Sequence, residues 1–248
     1  MTRLLPVGVI LGFVAVWWLA AGGSAFLPAP PEVFRGIGSM ATDGTLVRHA
    51  TASLYRVTLG YGIAVLLAVP LGILMGWSRT AFRALNPLIQ MQRPISPIAW
   101  IPLAILWFGV GDVAPAFLVF QASFFPVVVA TTSGVQLVGR EYIRAAQNFG
   151  ITGYKLFSTV IVPGALPTII TGMRVGLGVG WLVVVAAEMV GINSGLGYLI
   201  IDSRNAGMRY DLVVAGMISI GVIGLLLDVL MRRLENLREV RWRYVHGR

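Results

Sequence analysis

The sequence predicts an all-α polytopic membrane protein, with residues 1–248 forming a single transmembrane domain, and three observations favour this class. Hydrophobic residues make up 57% of the chain. Charged residues make up only 12%, whereas a soluble domain carries about 25%. The third observation is a set of mostly apolar stretches near the roughly 20 residues that a bilayer-crossing helix needs. We predict six such spans, at about 4–21, 54–76, 96–111, 114–134, 168–191 and 212–231.

The first predicted span has two interpretations. Arg3 precedes it and the small-residue run WLAAGGSA closes it, which is typical of a signal peptide with its cleavage site. We favour a retained helix, because a multi-span protein usually keeps its first helix as a signal anchor. The following segment, 24–50, begins with a proline-rich turn and predicts a helix on the membrane surface.

Pro97 and Pro102 lie in the short third span, with Trp100 between them. Proline inside a helix removes a backbone donor, and a broken span in hydrocarbon usually faces protein or a wet cavity. These three residues are therefore candidates to line a polar pathway, and a simple packing kink is the alternative. The short GVGD connection makes the third and fourth spans a hairpin. In the fourth span, Gln121 and Ser123 are weaker candidates, because a single polar residue in a bundle is commonly satisfied by a neighbour.

A 24-residue amphipathic insert, residues 140–163, lies between the fourth and fifth spans. Its first half predicts a helix whose apolar face follows the spacing i, i+3, i+4, i+7. Gly150 then stands where a left-handed cap would end that helix. The residues of the apolar face are Tyr142, Ala145, Ala146 and Phe149.

The second half of the insert predicts another short helix. Thr152 is placed to cap its start, Lys155 points away from its apolar face, and Pro163 marks the boundary before the fifth span. Spacing alone leaves two interpretations open. The insert either rests on the lipid headgroups or contacts another protein.

The distribution of charge predicts the orientation. The net charge is +9. With the N-terminus inside, 14 basic residues fall on the cytoplasmic side of the spans and 5 on the outer side, which is the positive-inside bias. Both termini and residues 135–165 are then cytoplasmic, and 192–211 form an outer interfacial or re-entrant helix. The bilayer accounts for the basic excess, so we predict no nucleic-acid partner. The chain has no cysteine and two histidines far apart, so we predict no metal site.

Two alanines, a glycine and a proline occur at fixed spacing in the insert, as Arg144-Ala145-Ala146, Gly150 and Val160-Ile161-Val162-Pro163. This pattern resembles the cytoplasmic loop of bacterial ABC importer permeases, which reads Glu-Ala-Ala, three residues, Gly, nine residues, Ile, any residue, Leu-Pro. Arg144 stands where the family has glutamate, and Glu141 lies one turn earlier. The segments LPAPPEVF, RPISPIAWIPLAILWFGVG, AAEMV and SGLGYLI are similar to the branch associated with nitrate, sulfonate, taurine and bicarbonate. The resemblance covers roughly residues 26–231.

The resemblance implies a type I importer permease of the bacterial inner membrane for a small anion such as nitrate, sulfonate, taurine or bicarbonate. It implies pairing with a second permease, often an identical copy, and an extracytoplasmic binding protein that delivers the solute. Two cytoplasmic ATPases would hold ATP and Mg²⁺, while this chain binds no cofactor. Residues 140–163 would be the coupling loop that contacts an ATPase. Its candidate contact residues are Glu141, Arg144, Ala145, Ala146, Gly150, Thr152, Lys155 and Pro163.

The fifth span carries a glycine every fourth residue, at Gly172, Gly176 and Gly180. Small residues at this spacing let helices approach closely, so we predict a packing stripe. Arg174 and Glu188 are also candidates for the solute pathway, because ionisable groups inside a span are functional candidates by default. We expect Arg174 to snorkel to the cytoplasmic interface or pair with the coupling loop. We expect Glu188 to be a buried partner of an arginine or a backbone group, because a bare carboxylate would repel an anion.

The sequence fits other function classes less well. The chain lacks the Gly-x-x-x-x-Gly-Lys-Ser/Thr loop that holds nucleotide phosphates, since its only lysine is Lys155 between Tyr154 and Leu156. It is therefore predicted not to be an enzyme, and it has no catalytic residues of its own. An ion-coupled carrier, or a permease for a neutral molecule such as a pyrimidine precursor, remains the alternative. A membrane enzyme is disfavoured, because no Ser/His, carboxylate-pair or His-metal constellation appears in the spans.

Overall fold

The computed structural model describes residues 5–23 and 26–235, and every regular element in these two ranges is helical. The all-α class is therefore confirmed. A 3₁₀ turn, Pro97–Trp100, leads into α5, and a π turn, Phe157–Ile161, joins α8 to α9. The helices are α1 (Leu5–Ala21), α2 (Pro30–Thr42), α3 (Thr45–Trp77), α4 (Arg79–Gln92), α5 (Ile101–Phe108), α6 (Val113–Gln136), α7 (Arg140–Asn148), α8 (Gly153–Leu156), α9 (Val162–Gly191), α10 (Leu196–Asn205) and α11 (Tyr210–Glu235).

Four helices in the described residues are long and apolar enough to cross a bilayer. They are α3, α6, α11 and the continuous run Gly153–Gly191, and they correspond to the second, fourth, sixth and fifth predicted spans. Two further apolar stretches, Gly8–Ala21 and Pro97–Phe108, coincide with the first and third predicted spans but are shorter. The count of six spans therefore stays a prediction.

The prolines of the third predicted span begin helices and do not interrupt one. Pro97 opens the 3₁₀ turn and Pro102 lies in the first turn of α5. The first four N–H groups of a helix have no intrahelical acceptor, so the donor that proline lacks is not missed there. The expectation that Pro97 and Pro102 interrupt a helix is therefore wrong. Prolines that do lie inside helices are found at Pro70 of α3 and Pro126 of α6.

The chain divides into two compact units, and the first comprises the described residues up to Leu54 together with Glu188–Ile223. The helix predicted after the proline-rich turn is α2. Gly36 lets α2 approach the first turn of α11, because a Cβ at this position would lie 3.2 Å from the side chain of Leu212.

The second unit comprises Tyr55–Ala187 and the described residues from Gly224 onward. In it, α9 packs on α6 along the predicted glycine stripe. A Cβ added at any of the three stripe glycines would come within 3.0 Å of an α6 atom. The nearest α6 residues are Ala130 at Gly172, Val127 and Ser123 at Gly176, and Ser123 and Val119 at Gly180.

An ion pair between a buried arginine and an exposed aspartate links α3 to the connection between α5 and α6 in the same unit. The side chain of Arg56 is only 1% exposed, and its Nη2 lies 2.7 Å from Oδ1 of Asp112. Arg56 Nε also donates to that oxygen at 2.8 Å. A buried guanidinium needs such a partner, since a charge that is desolvated and unpaired is costly.

The insert contains two helices, but its second helix does not end before the fifth span. The run from Gly153 continues through the π turn and Pro163 into α9 without a break. The prediction that Pro163 marks a boundary is therefore wrong. The π turn ends at Ile161, two residues before the proline, and such turns occur where a helix accommodates an irregularity in its hydrogen-bond ladder.

Candidate functional site

The insert carries three exposed aromatic rings, which we call the aromatic surface: Tyr142, Phe149 and Tyr154. Their exposed fractions are 57%, 86% and 86%. Ala146 faces the opposite way and is 7% exposed, within a cluster that also holds Val135 and Ile161 among others. The insert is thus anchored on the second unit through α7, α8 and the π turn while it presents aromatic rings outward.

The predicted apolar face of α7 is divided in the structure. Ala146 is buried, whereas Tyr142, Ala145 and Phe149 are exposed. The helix packs through Ile143 and Ala146, which are three residues apart and therefore neighbours on one face. The prediction that Ala146 shares an exposed apolar face with the aromatic residues is wrong, because residues of its own chain cover it.

Two glycines shape the turn between α7 and α8. Gly150 has φ +74°, as a left-handed cap requires, and Gly153 has φ +58°. The N–H of Ile151 donates to the carbonyl of Ala146 at 3.0 Å, which satisfies one of the last carbonyls of α7. Thr152 occupies the predicted N-cap position of α8, but its side chain does not form the predicted capping hydrogen bond.

The charged side chains of the insert are exposed. Glu141, Arg144 and Lys155 are all exposed, and none of them forms an ion pair within the described residues. Glu141 does not reach Arg144 but folds back toward Gly139, where an added Cβ would collide with its carboxylate. The charge of Arg144 therefore remains available to a partner.

A cleft of about 510 Å³ lies within the second unit. It brings together Pro97, Gln121 and Gly172 from the predicted candidates with Arg93, which sequence reasoning treated only as a topology charge. The cleft is lined by Gln92, Arg93, Ile95, Pro97, Gln121, Ala122, Phe125, Pro126, Val129, Ala130, Thr168, Thr171, Gly172, Val175 and Val179. Gln121 is 6% exposed, and its Oε1 has no hydrogen-bond partner among the described residues.

The other pathway candidates lie elsewhere. Ser123 donates to the carbonyl of Gly176 at 2.9 Å, so its hydroxyl is used in packing α6 on α9. Trp100 packs against a cluster with Ile101 and Leu118 among its members. Pro102 begins α5 and does not line the cleft.

Arg174 forms ion pairs with the last helix. Its Nε lies 2.6 Å from Oδ1 of Asp228 and its Nη1 lies 3.3 Å from Oε2 of Glu235. Asp228 also accepts from Nε of Arg232 at 2.9 Å. Of the two expectations for Arg174, pairing with the coupling loop is not what the structure shows, since its guanidinium pairs with carboxylates of α11. Snorkelling to the cytoplasmic interface stays a prediction.

Glu188 lies in the first unit and is 1% exposed. Its carboxylate accepts from the hydroxyl of Ser53 at 2.8 and 2.9 Å and from the backbone N–H of Gly197 at 3.0 Å. An arginine or a backbone group was expected as its partner; the backbone N–H is there, and the serine was not expected. These hydrogen bonds tie α3 and α10 to α9.

The same network satisfies the start of α10. Ser53 Oγ accepts from the N–H of Leu196 at 2.9 Å, and Nδ1 of His49 accepts from the N–H of Gly195 at 3.0 Å. The first N–H groups of a helix need such external acceptors. Gly195 has φ +104°, and a Cβ there would collide with the carboxylate of Glu188. The sequence signal for this site is the run SGLG, residues 194–197, within which α10 begins at Leu196.

Tyr198 extends the network on the surface of α10. Its ring stacks on His49 with the centroids 5.9 Å apart. Its hydroxyl donates to the carboxylate of Asp202 at 3.2 Å, and this hydrogen bond raises the pKa of the Tyr198 phenol. The phenol therefore stays protonated and able to donate at neutral pH.

Comparison with known proteins places this fold in a transport family. Residues 68–239 match the model of the binding-protein-dependent transport system inner membrane component. The chain is 39% identical to the taurine transport system permease protein TauC of Escherichia coli (strain K12), over 94% of this chain and 87% of that protein. It is 33% identical to the nitrate import permease protein NrtB of Synechocystis sp. (strain ATCC 27184 / PCC 6803 / Kazusa), over 94% of this chain and 88% of that protein.

Solved structures of low sequence identity share the fold. A structure of the MetNI methionine ABC transporter in an inward-facing conformation superposes with a TM-score of 0.66 at 17% identity, over 76% of this chain and 94% of that one. An amino acid ABC transporter structure gives a TM-score of 0.63 at 20% identity, over 82% and 97% of the two chains. The sequence resemblance is thereby confirmed, and the chain belongs to the binding-protein-dependent transport family as an inner-membrane, multi-pass permease component.

Proposed function

We propose that this chain forms the membrane pathway of an ATP-driven importer for a small anion, and that a separate ATPase binds the aromatic surface of residues 140–163. The observation that carries the proposal is the aromatic surface itself. Three aromatic rings are exposed on a segment whose other large apolar residues pack against a buried cluster. Exposed aromatic side chains on an ordered support are the residue type that most often dominates binding energy at protein interfaces.

The charge of the insert supports the same partner. Arg144 and Lys155 are exposed beside the aromatic rings, and a groove with acidic side chains would complement them. Gly150 and Gly153 fix the angle of the turn through their positive φ values. The insert therefore offers a rigid shape with aromatic anchors, which suits a protein groove.

Family membership and the sequence support the remaining parts of the proposal. We place both termini and the insert in the cytoplasm, with six spans, a second and identical permease copy, two ATPases that hold ATP and Mg²⁺, and an extracytoplasmic binding protein. The solute class is a small anion, since relatives are named for taurine, aliphatic sulfonates and nitrate. An ion-coupled carrier would need no ATPase at the insert.

The experiment removes the exposed rings without touching the core. Phe149→Ala and Tyr154→Ala, alone and together, should leave the permease folded but reduce its co-purification with the ATPase. Truncating a hot-spot residue costs about 2 kcal/mol or more, which is roughly thirtyfold in affinity for each ring. The matched control is Phe34→Ala, because Phe34 is 64% exposed and lies on α2, outside the insert.

Ala146→Phe is a poor test of docking, because Ala146 is buried in its own chain and a larger ring would disturb folding. Gly150→Val remains informative, since φ +74° penalises a side chain while nothing lies within 4 Å of the added Cβ. Arg144→Glu, which restores the residue usual in the family, should be milder than Gly150→Val. Normal co-purification and normal binding-protein-stimulated ATP hydrolysis in the Phe149 and Tyr154 double variant would contradict the proposal.

A further inference from the structure

A cavity of about 730 Å³ lies in the first unit, between the end of α1, the helix α2 and the start of α11. We call it the α2 pocket. Its volume is within the range of about 300–1,000 Å³ that is usual for small-molecule sites. Four of the residues that line it are charged, two acidic and two basic. The α2 pocket is therefore a polar site with no net charge.

The ends of two apolar helices place the α2 pocket at the depth of lipid headgroups. The helix α11 is long and apolar enough to cross a bilayer and begins at Tyr210, and the shorter apolar helix α1 ends at Ala21. Both of these terminal residues line the pocket. A bilayer is about 30 Å thick in its hydrocarbon core and about 40–45 Å thick with its headgroups. The layer just beyond the end of an apolar helix is therefore the headgroup layer.

The last two turns of α1 support this depth and offer apolar surface beside the pocket. Nε1 of Trp17 donates at 3.1 Å to the carbonyl of Pro28, which lines the pocket, and Trp18 is 55% exposed. Tryptophan rings are enriched at the interface between membrane and water. On the same helix, Val16 and Leu19 are 66% and 81% exposed. Acyl chains that extend from the pocket can therefore lie along α1.

The charged lining offers one free cation and one free anion. Arg209 and Asp211 neutralise each other, since Nη2 of Arg209 lies 2.8 Å from Oδ2 of Asp211. Arg35 and Glu32 lie three residues apart on α2, and neither forms an ion pair within the described residues. Oε2 of Glu32 accepts from the N–H of Ala29 at 3.0 Å, and a carboxylate has about four acceptor positions. Acceptor positions on Glu32 therefore remain for a ligand.

A headgroup that carries both a phosphate and an ammonium complements these two charges. A guanidinium binds phosphate through two parallel N–H bonds, and Arg35 is the unpaired guanidinium of the lining. A primary ammonium carries three N–H donors for Glu32, whereas a quaternary ammonium carries none. A headgroup with only negative charge would lie beside Glu32 without a cation to offset it, which is unfavourable because like charges repel.

We propose that the α2 pocket binds the headgroup of a phospholipid with a primary ammonium, as in phosphatidylethanolamine. Arg35 contacts the phosphate, Glu32 accepts from the ammonium, and the acyl chains lie along α1. Lipid binding at this pocket is independent of the proposed transport function, because neither residues 140–163 nor the cleft in the second unit contributes to the lining.

The test measures lipid binding to the full permease, purified in detergent and stripped of lipid, by native mass spectrometry. Dioleoyl phospholipids with ethanolamine, choline or glycerol headgroups are added at equal concentration. We expect the ethanolamine lipid to bind about tenfold more tightly than the choline lipid, which is the effect of a hydrogen bond to a charged group. The glycerol lipid should also bind more weakly than the ethanolamine lipid, because it lacks the ammonium.

Matched variants assign this preference to the α2 pocket. Glu32→Gln removes the charge but keeps an acceptor for the N–H of Ala29, because glutamine also serves at this position of a capping box. We expect this variant to bind the ethanolamine and choline lipids with equal affinity. Arg35→Gln should weaken the binding of both lipids about tenfold. Arg204→Gln is the control and should change neither affinity, because Arg204 is exposed on α10 and does not line the pocket.

Equal affinities of the ethanolamine and choline lipids for the unmodified chain, or an ethanolamine preference that survives Glu32→Gln, would overturn the proposal. Tighter binding of the glycerol lipid would also overturn it and would indicate a site for anionic lipid. Glycerophosphoethanolamine, which has the headgroup but no acyl chains, separates a lipid from a soluble zwitterion. We expect it not to displace the lipid at equal concentration, and full displacement would assign the pocket to a soluble molecule.

Discussion

Replacing Gly195 with alanine tests whether the carboxylate of Glu188 holds the start of α10. Gly195 has φ +104° and ψ 165°, a backbone conformation that is essentially restricted to glycine. A methyl group at this position would also collide with the Glu188 carboxylate. The carboxylate would have to move away from the hydroxyl of Ser53 and the N–H of Gly197.

The magnitude follows from these two contributions. The backbone conformation costs about 1–3 kcal/mol for a residue with a side chain. Leaving a buried hydrogen-bonding group unsatisfied costs about 1–3 kcal/mol, so Gly195→Ala should destabilise the chain by about 2–6 kcal/mol. Gly207→Ala is the matched control in the same unit, because Gly207 has φ +130° and nothing within 4 Å of an added Cβ. It should show only the backbone contribution.

The assay heats the detergent-purified protein and measures the fraction that remains monodisperse by size-exclusion chromatography. We expect Gly195→Ala to melt at a clearly lower temperature than Gly207→Ala, with both below the unmodified chain. Equal midpoint temperatures of heat denaturation for the two variants would show that displacing the Glu188 carboxylate costs no free energy of folding. The interpretation of Glu188 as a structural anchor would then be refuted.

Three further predictions concern Glu188, the orientation of the chain in the membrane and the ion pair of Asp112. Glu188→Gln keeps hydrogen-bonding capacity and should retain assembly, whereas Glu188→Ala should lose both assembly and transport. If both variants assemble normally and only the solute affinity changes, direct contact of Glu188 with the solute is favoured. Single cysteines at Ser39 and Thr152 should label oppositely, because an impermeant thiol reagent on intact cells should reach position 39 and spare 152, and the reverse pattern would overturn the orientation. Asp112→Asn should destabilise the chain by about 1–3 kcal/mol, since it weakens the partner of the buried Arg56; an unchanged melting temperature would contradict that contribution.

The broad fold could be predicted from the sequence because hydropathy and helical spacing report directly on which segments are buried in a bilayer. The four membrane-length helices lie where apolar stretches were predicted, and Gly150 adopts the left-handed conformation that its position after α7 indicated. The glycine stripe at Gly172, Gly176 and Gly180 lies against α6, since spacing of four residues places the glycines on one helix face.

The site could be predicted only in part, because contacts between distant segments leave no local signal. Nothing near Ser53 in sequence indicates that it would hydrogen-bond Glu188, 135 residues away. Arg174 was expected to snorkel to the cytoplasmic interface or to pair with the coupling loop, and its pairing with two carboxylates of α11 had no local signal. For Ala146, helical spacing identified its neighbours on α7 and could not tell which of two possible faces packs inward.

The π turn at Phe157–Ile161 sets the direction in which the exposed rings of the insert point relative to α9. Each residue of an α-helix advances the azimuth by about 100°, and a π turn is in effect one residue inserted into that progression. Tyr154 thus points in a direction that an uninterrupted α-helix of the same sequence would not give. Deleting Ser158, which is exposed within this turn, would restore regular winding and swing Tyr154 by roughly a quarter of a revolution relative to α9. A rotation of the insert about the axis of the 39-residue run Gly153–Gly191 is therefore passed to α9 with an angular offset. The one extra residue of the π turn sets the size of that offset.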